Sequence, residues 1–367
     1  MNRRNFLISS SAVILTSSCT HSVNKPNHIF FAAGGSGDNG GIHLYKCSAD
    51  GSLIVEVGHY GIGEDHGFQC YHNGVLYSEC SVGPRKNSRA FVKAYRFDPR
   101  SQNLTEISSL TTEAKLCHME TQGSLLVGTS YGGAYIESFQ LSVDGRIEKS
   151  LEKFRFKGAS RINPKRQNAP HPHAFKFSPD GHYAFMPDLG RDIVQVFEVT
   201  GSKLKYRSDL DYKSKGGAGP RHFTFHPDGK RAYLINELDF TLTAFDYSNG
   251  KLTPTDTQNC LPKNFSEWNS CADVHVHPNG KFVYASNRGH NSLAIFSIEK
   301  QGKLKLIAHQ STKGEIPRNF AIHQNFALVA NQHSNNLVFF SINPLTGKLE
   351  KKGSTKGISR PSCVNVL

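Results

Sequence analysis

The sequence predicts an all-β chain, a seven-bladed β-propeller of four-stranded antiparallel blades, and two observations carry that expectation. A phrase recurs seven times: an aromatic or β-branched strand end, a short polar turn usually containing Gly, then Leu or Ile. It ends at Leu53, Leu104, Ile147, Leu204, Leu252, Leu304 and Leu349, a spacing of about 43 to 57 residues. That is the length of one propeller blade and too long for a leucine-rich or ankyrin repeat. Between the phrases lie short apolar runs bounded by Gly, Pro, Asn and Asp, such as Tyr183–Met186, Ala232–Ile235, Phe282–Ala285 and Ala327–Ala330. Such runs read as strands, and no long helical period interrupts them.

The 367 residues could form two average domains, but repeats running from near one end to the other argue for one closed ring. A hydrophobic fraction of 37% suits thin sheets stacked face to face. The segment His28–Ala33 is expected to join a blade completed by the C-terminal segment, which would fasten the ring.

Residues 1–18 read as an export signal, 19–27 as a linker and 28–367 as the propeller. Arg3 and Arg4 precede an apolar stretch from Phe6 to Leu15 that is too short to span a bilayer, and small residues lead to Cys19. The arginine pair resembles a twin-arginine signal, and the approach to Cys19 resembles a lipoprotein cleavage site, with Thr16 where a larger aliphatic is usual. The expected destination is the periplasm or cell envelope, with lipid at Cys19 as the one route to membrane attachment.

The net charge of +13 favours an anionic ligand. Nucleic acid is not expected, because Lys213, Lys215, Lys230 and Lys281 are scattered over blade turns rather than gathered in a basic arm or helix. The eight cysteines include no C-x-x-C pair, which argues against a zinc knuckle or a thioredoxin-like site. Most are expected to be buried, with Cys70–Cys80 and Cys260–Cys271 the pairs an oxidising compartment would allow. GSGDNG at Gly35–Gly40 matches G-x-G-x-x-G, yet a strand follows it where a pyrophosphate site needs a helix. No G-x-S-x-G elbow is present, so neither a dinucleotide cofactor nor a covalent serine mechanism is expected.

Superposing the repeats on their turns singles out two positions. Just before the inner strand, HPHAFKFSPDG, GPRHFTFHPDG, CADVHVHPNG and IPRNFAIHQN align His173, Arg221, Ala272 and Arg318, with Cys117 or His118 filling the slot in AKLCHMETQG. About fifteen residues later, FMPDLGRDIV, LINELDFTL, ASNRGHNSL, VANQHSNNL and GTSYGGAYI align Asp188, Glu237, Arg288, Gln332 and Tyr131. The start of one strand and the end of its antiparallel neighbour share an edge. Both sets are therefore expected around the channel mouth, differing in charge and type as a scaffold repeat would not.

His171 and His173 invite a metal reading, but Pro172 between them suggests the start of a strand and no third ligand is nearby, so no metal is expected. His222, His226, His275 and His277 are expected to face neighbouring blades.

The phrases RQNAPHPH, PDLGRD, GPRHF with NEL, SNRG, PRNFAI and the closing SRPSCVNVL resemble the lactonase family of seven-bladed propellers, which contains 6-phosphogluconolactonases and carboxymuconate cyclases. The resemblance runs from His28 to Leu367. It implies a catalytic site of His173, Arg221, Glu237 and Arg288, the same four residues that the superposition selects. It departs in blade 2, where YHNGVLYSECSV replaces a longer turn and an acidic strand end, and in the export signal, since the family's phosphogluconolactonases are generally cytoplasmic.

Lactone hydrolysis needs an activated water and positive charge for the oxyanion. Glu237 is the expected general base and His173 a base or an acid, with the two able to exchange roles. The arginines would hold a phosphate or carboxylate or polarise the carbonyl. Arg318, Gln332, Asp188, Tyr131, His118 and His171 complete the expected contacts to a small anionic lactone. A binding propeller without turnover and a lactone-closing cycloisomerase are the other readings, and nothing in the sequence bears on oligomeric state.

Overall fold

Short runs of β-branched and aromatic residues punctuated by turn residues give seven antiparallel blades, six four-stranded and blade 4 with a short fifth strand, Tyr212–Lys213, in the computed structural model, which describes residues 28–48, 51–84 and 87–367. The expected export signal and linker, Cys19 included, lie outside the described residues. From the channel outward, blade 1 contains Cys363–Val366, His28–Gly35, Gly41–Ser48 and Ile54–Tyr60, and blade 2 runs from Asp65–His72 through Val75–Val82 and Arg89–Asp98 to Asn103–Thr112. The inner strands of blades 3 to 7 are His118–Gln122, Lys176–Phe177, Pro220–Phe225, Cys271–Val276 and Pro317–His323. Their second strands are Leu125–Ser130, Tyr183–Asp188, Arg231–Asn236, Phe282–Asn287 and Phe326–Asn331. Among the described residues no helix is long and apolar enough to cross a membrane.

The ring closes as expected. His28–Gly35 pairs with the C-terminal strand, Phe31 opposite Val366 and Gly34 opposite Cys363, so the chain's last strand is the inner strand of blade 1. Closure is also visible in the core, where seven apolar clusters occupy the seven interfaces between neighbouring blades. The cluster of Phe31, Ala33, Leu328 and Phe339 seals blade 7 against blade 1.

The repeated phrase proves to be the turn from third to fourth strand. Its last residue is buried in six blades, from Leu104 to Leu349. Leu53 in blade 1 is the exception at 62% exposure, and the next residue, Ile54, packs on the interface cluster instead. Cys70, Cys80, Cys260 and Cys271 are not disulfide-bonded, so neither pair that the sequence allows is formed. In the strand register Cys70 lies opposite Tyr77 and Cys80 opposite His66, which separates the first pair. Cys271 lies opposite Asn287, to whose carbonyl its thiol donates at 3.1 Å.

Two glycines of the mouth motifs matter because other chain lies against them. A Cβ at Gly190 of PDLG would stand 1.8 Å from the carbonyl oxygen of Ala169, and one at Gly289 of SNRG 2.0 Å from that of Trp268. Each glycine lets the preceding loop cross the blade end, and backbone cannot yield as a flexible side chain can. Gly190→Ala is expected to cost about 2 kcal/mol or more, measurable as a lowered urea midpoint at unchanged m-value.

Candidate active site

Inner strands turn out to be interrupted where the chemistry lies. Register shifts fall between Pro220 and His222, between Cys271 and Val274, between Pro317 and Asn319, and between His66 and Gln69. Arg221, Ala272, Arg318 and Gly67 thus sit at β-bulges, which insert an extra residue and re-aim side chains. His173 occupies an irregular stretch too, between the isolated bridge from Pro172 to Asp188 and the short strand at Lys176, with its N–H donating to Pro187 O at 2.9 Å.

Glu237, at the end of its strand, is 2% exposed and sits among three arginines. Its Oε2 accepts from Arg221 Nε at 2.9 Å and lies 3.0 Å from Arg288 Nη2, while Oε1 accepts from Arg166 Nη2. Burial opposes ionisation, but Arg288, Arg221 and Arg166 together overcome it and hold the carboxyl far below the usual range. Arg221 is itself buried and donates through Nη1 to the carbonyl of Ala272. Arg288 donates to Ser270 and Cys271, so the forks are fixed before any ligand arrives. His173 Nε2 lies 3.8 Å from Glu237 Oε2, beyond hydrogen-bond reach, and Nδ1 has no partner. Burial, then Arg221, His222 and Arg318, push the His173 imidazolium well down, leaving a neutral ring.

In front of Arg221 opens a cavity of about 590 Å³. Four cationic side chains line it, Lys115, Arg221, Arg318 and Arg360, and two carboxyls, Asp65 and Glu79. Glu79 is buried, which raises its pKa to about 8 and leaves it protonated at neutral pH. Lys115 lies 3.8 Å from Asp65. The balance of charge facing the cavity is positive.

The profile of the seven-bladed β-propeller lactonase family matches residues 28–366. The chain belongs to that family. Similarity to individual proteins agrees. A 6-phosphogluconolactonase of Formosa agariphila is 42% identical over 241 residues, 64% of this chain and 68% of the relative. One of Bacillus subtilis is 29% identical over 304 residues, 81% and 85% of the two chains. Among solved structures, the periplasmic gluconolactonase of Pseudomonas aeruginosa superposes with a TM-score of 0.85 at 27% identity, over 93% of this chain and 99% of that one. The chain is a lactone hydrolase, as these relatives are.

In this lactonase the sequence-selected residues divide into three groups. Arg221, Arg318 and Gln332 line the cavity, with Cys117 beside them. Glu237, Arg288 and His173 stand behind Arg221. The remainder are not among the residues lining that cavity. Asp188 is fully buried and its Oδ1 accepts from the N–H groups of His171 and Gly190 at 2.7 and 3.0 Å, pinning the PDLG turn under the preceding loop. His171 stacks on Tyr131 at 4.0 Å and its Nδ1 meets Tyr131 O at 3.0 Å. Tyr131 in turn accepts from Arg166 at 3.4 Å. His118 stacks on Phe68 at 4.3 Å and lines a separate cavity of about 360 Å³ at the other end of the channel.

Several residues of the site escape the sequence reading, Lys115, Asp65 and Arg360 of the cavity wall among them. Arg166 lies within the RQNAPHPH phrase, yet its long reach to Glu237 leaves no trace in repeat alignment. Glu79 belongs to the one blade that departs from the pattern. Tyr77 and Tyr284 occupy matching places, each donating to a Gly carbonyl of the next blade's turn. Four residues beyond them lie Ser81 and Arg288, so Glu79 falls two short of the aligned position. His222 does face its neighbour, Asp273 of blade 6, as expected, but it also lines the cavity.

Proposed function

We propose that this lactonase hydrolyses an anionic sugar lactone of the 6-phosphogluconolactone type in the mouth cavity, outside the cytoplasm. The observation that carries the reading is the set of four cations on one 590 Å³ cavity, one of them, Arg221, fixed from behind by Glu237. Names of the relatives supply the reaction class, and the leader-like N-terminus with the periplasmic Pseudomonas relative supports export.

In this reading Arg318, Lys115 and Arg360 hold the anionic group of the substrate, and Arg221 turns its fork toward the developing oxyanion. Glu237 is ionised, but both of its carboxylate oxygens are engaged by arginines and it does not line the cavity. Its part is to hold Arg221 and Arg288 in place. The proton of the attacking water goes to a neutral imidazole.

The test follows acid release by the purified chain from 6-phosphogluconolactone and from unphosphorylated gluconolactone, above the spontaneous rate. Faster turnover of the phosphorylated lactone is expected. Arg318→Gln should raise KM for that substrate about tenfold, the order of one charge-assisted contact, and change the other much less. Equal effects on both lactones would remove phosphate from the proposal, and no rate on either would remove lactone hydrolysis of these sugars.

A further inference from the structure

We infer that His222, oriented by Asp273, is the general base that activates water for the lactone hydrolysis proposed above, on which this inference rests. Side chains alternate along a regular strand, so consecutive residues face opposite ways. The bulge after Pro220 breaks that rule, and both Arg221 and His222 line the cavity. His173 is not among the lining residues, which places His222 nearer to water held in front of Arg221. His222 also lines the second cavity, as do Phe68 and Asn319, so it forms part of the partition between the two and the floor of the mouth cavity.

Its tautomer is set by its partner. Nδ1 lies 2.7 Å from Asp273 Oδ1, and a carboxylate only accepts, so Nδ1 carries the proton. The lone pair is then on Nε2, which is buried and has no partner. His222 is 6% exposed, and an unpaired buried polar atom beside a cavity is where a bound water or substrate belongs. Asp273 is held in turn. Its Oδ1 accepts from the Val274 N–H at 3.0 Å, and its Oδ2 accepts from Asn319 Nδ2 at 2.6 Å and from Phe320 N at 3.2 Å and meets His275 Nε2 at 3.0 Å. A carboxylate so fixed keeps the imidazole in one orientation and stabilises the imidazolium formed during turnover.

The step balances without a co-reactant. Water oxygen bonds to the lactone carbonyl carbon as its proton passes to Nε2. Collapse of the tetrahedral intermediate breaks the ring C–O bond, and the leaving alkoxide takes the proton back from the imidazolium. One water is consumed and the hydroxy acid results.

Charged and titratable groups around the ring are Arg221 on its own strand, Asp273 and His275 from blade 6, His118 from blade 3 and His173 from blade 4. Burial and Arg221 outweigh Asp273 and lower the His222 pKa to about 4. The wild-type kcat/KM is therefore expected to be level from about pH 6 to neutrality.

The deciding experiment compares wild type, His222→Gln, His222→Ala and Asp273→Asn on 6-phosphogluconolactone, with melting temperature as the check on folding. His222→Gln should lower kcat by about 100-fold or more with little change in KM, within the range general bases contribute. Small substituted imidazoles should restore His222→Ala in order of their basicity, a response that a packing role would not give. Asp273→Asn should lower kcat by removing the negative charge that stabilises the imidazolium. A folded His222→Gln enzyme within threefold of wild type would overturn the inference. If wild type itself were inactive, the proposed reaction would have failed instead. Should His222→Gln not fold, His222→Ala decides: a folded His222→Ala enzyme within threefold of wild type, or one unresponsive to imidazoles, would overturn the inference.

Discussion

A Glu237→Gln enzyme is expected to lose about 3–5 kcal/mol of stability, because it removes the anion from a buried cluster and leaves Arg221, Arg288 and Arg166 facing one another. Glutamine keeps the shape, so the loss reports charge rather than packing. Its amide nitrogen would also point a donor at donors. The pH dependence has a definite sign. Glu237 is depressed in the folded protein by its arginines, against an ordinary value of 4.5. Its contribution is therefore complete above about pH 4.5 and lost as pH falls below it. Urea titrations at pH 7 should show the full difference between wild type and variant, narrowing toward pH 3. Activity should fall by about 100-fold or more through kcat, since Arg221 would no longer be held against the oxyanion. A variant with wild-type stability at pH 7 would show that the cluster is not what fixes the arginines.

Glu79 gives the opposite dependence. Burial raises its pKa from 4.5 to about 8. Room for the carboxyl exists because residue 67 is glycine, whose Cβ would stand 2.1 Å from Glu79 Oε2, and its Oε1 has no partner. Below pH 4.5 both folded and unfolded chains hold the proton. Between about 4.5 and about 8 only the folded chain does, so stability falls by about 1.4 kcal/mol per pH unit and levels off above. Glu79→Gln should abolish that slope and leave the variant the more stable at pH 8. Ionised Glu79 also places a negative charge on the cavity that receives an anionic lactone. KM for the phosphorylated substrate should rise above pH 8 in wild type and stay level in Glu79→Gln. A slope unchanged by the substitution would mean that Glu79 is ionised throughout.

The site was half legible in the repeats. Registering the turns picked out Arg221, Arg318 and Gln332, which line the cavity, and Glu237, Arg288 and His173, which back it. It grouped Asp188 with them, because a polar residue at a strand end looks the same whether it faces a ligand or accepts from its own backbone. Blade 2 defeated the method, since Glu79 stands two residues before the aligned position and the structure turns it into the cavity beside a glycine bulge. His222 reads in sequence as a neighbour-facing residue, and the bulge at Arg221 gives it a second face.

What the sequence determined by itself was the ring: seven repeats, their turns, the blade that joins both ends of the described chain, and a mouth face crowded with unlike polar residues. These follow from local pattern, because each blade buries alternate side chains against the next and repeats that need at a fixed interval. Tertiary structure alone decided which mouth residues meet. Arg166 reaches Glu237 from a loop 71 residues away, and His222 meets Asp273 across a blade interface 51 residues on. Bulges at the inner strands then choose which side chains enter the channel. Surroundings decide their charge: arginines hold Glu237 ionised against its burial, while burial keeps Glu79 protonated, a distinction that two identical side chains cannot carry in sequence.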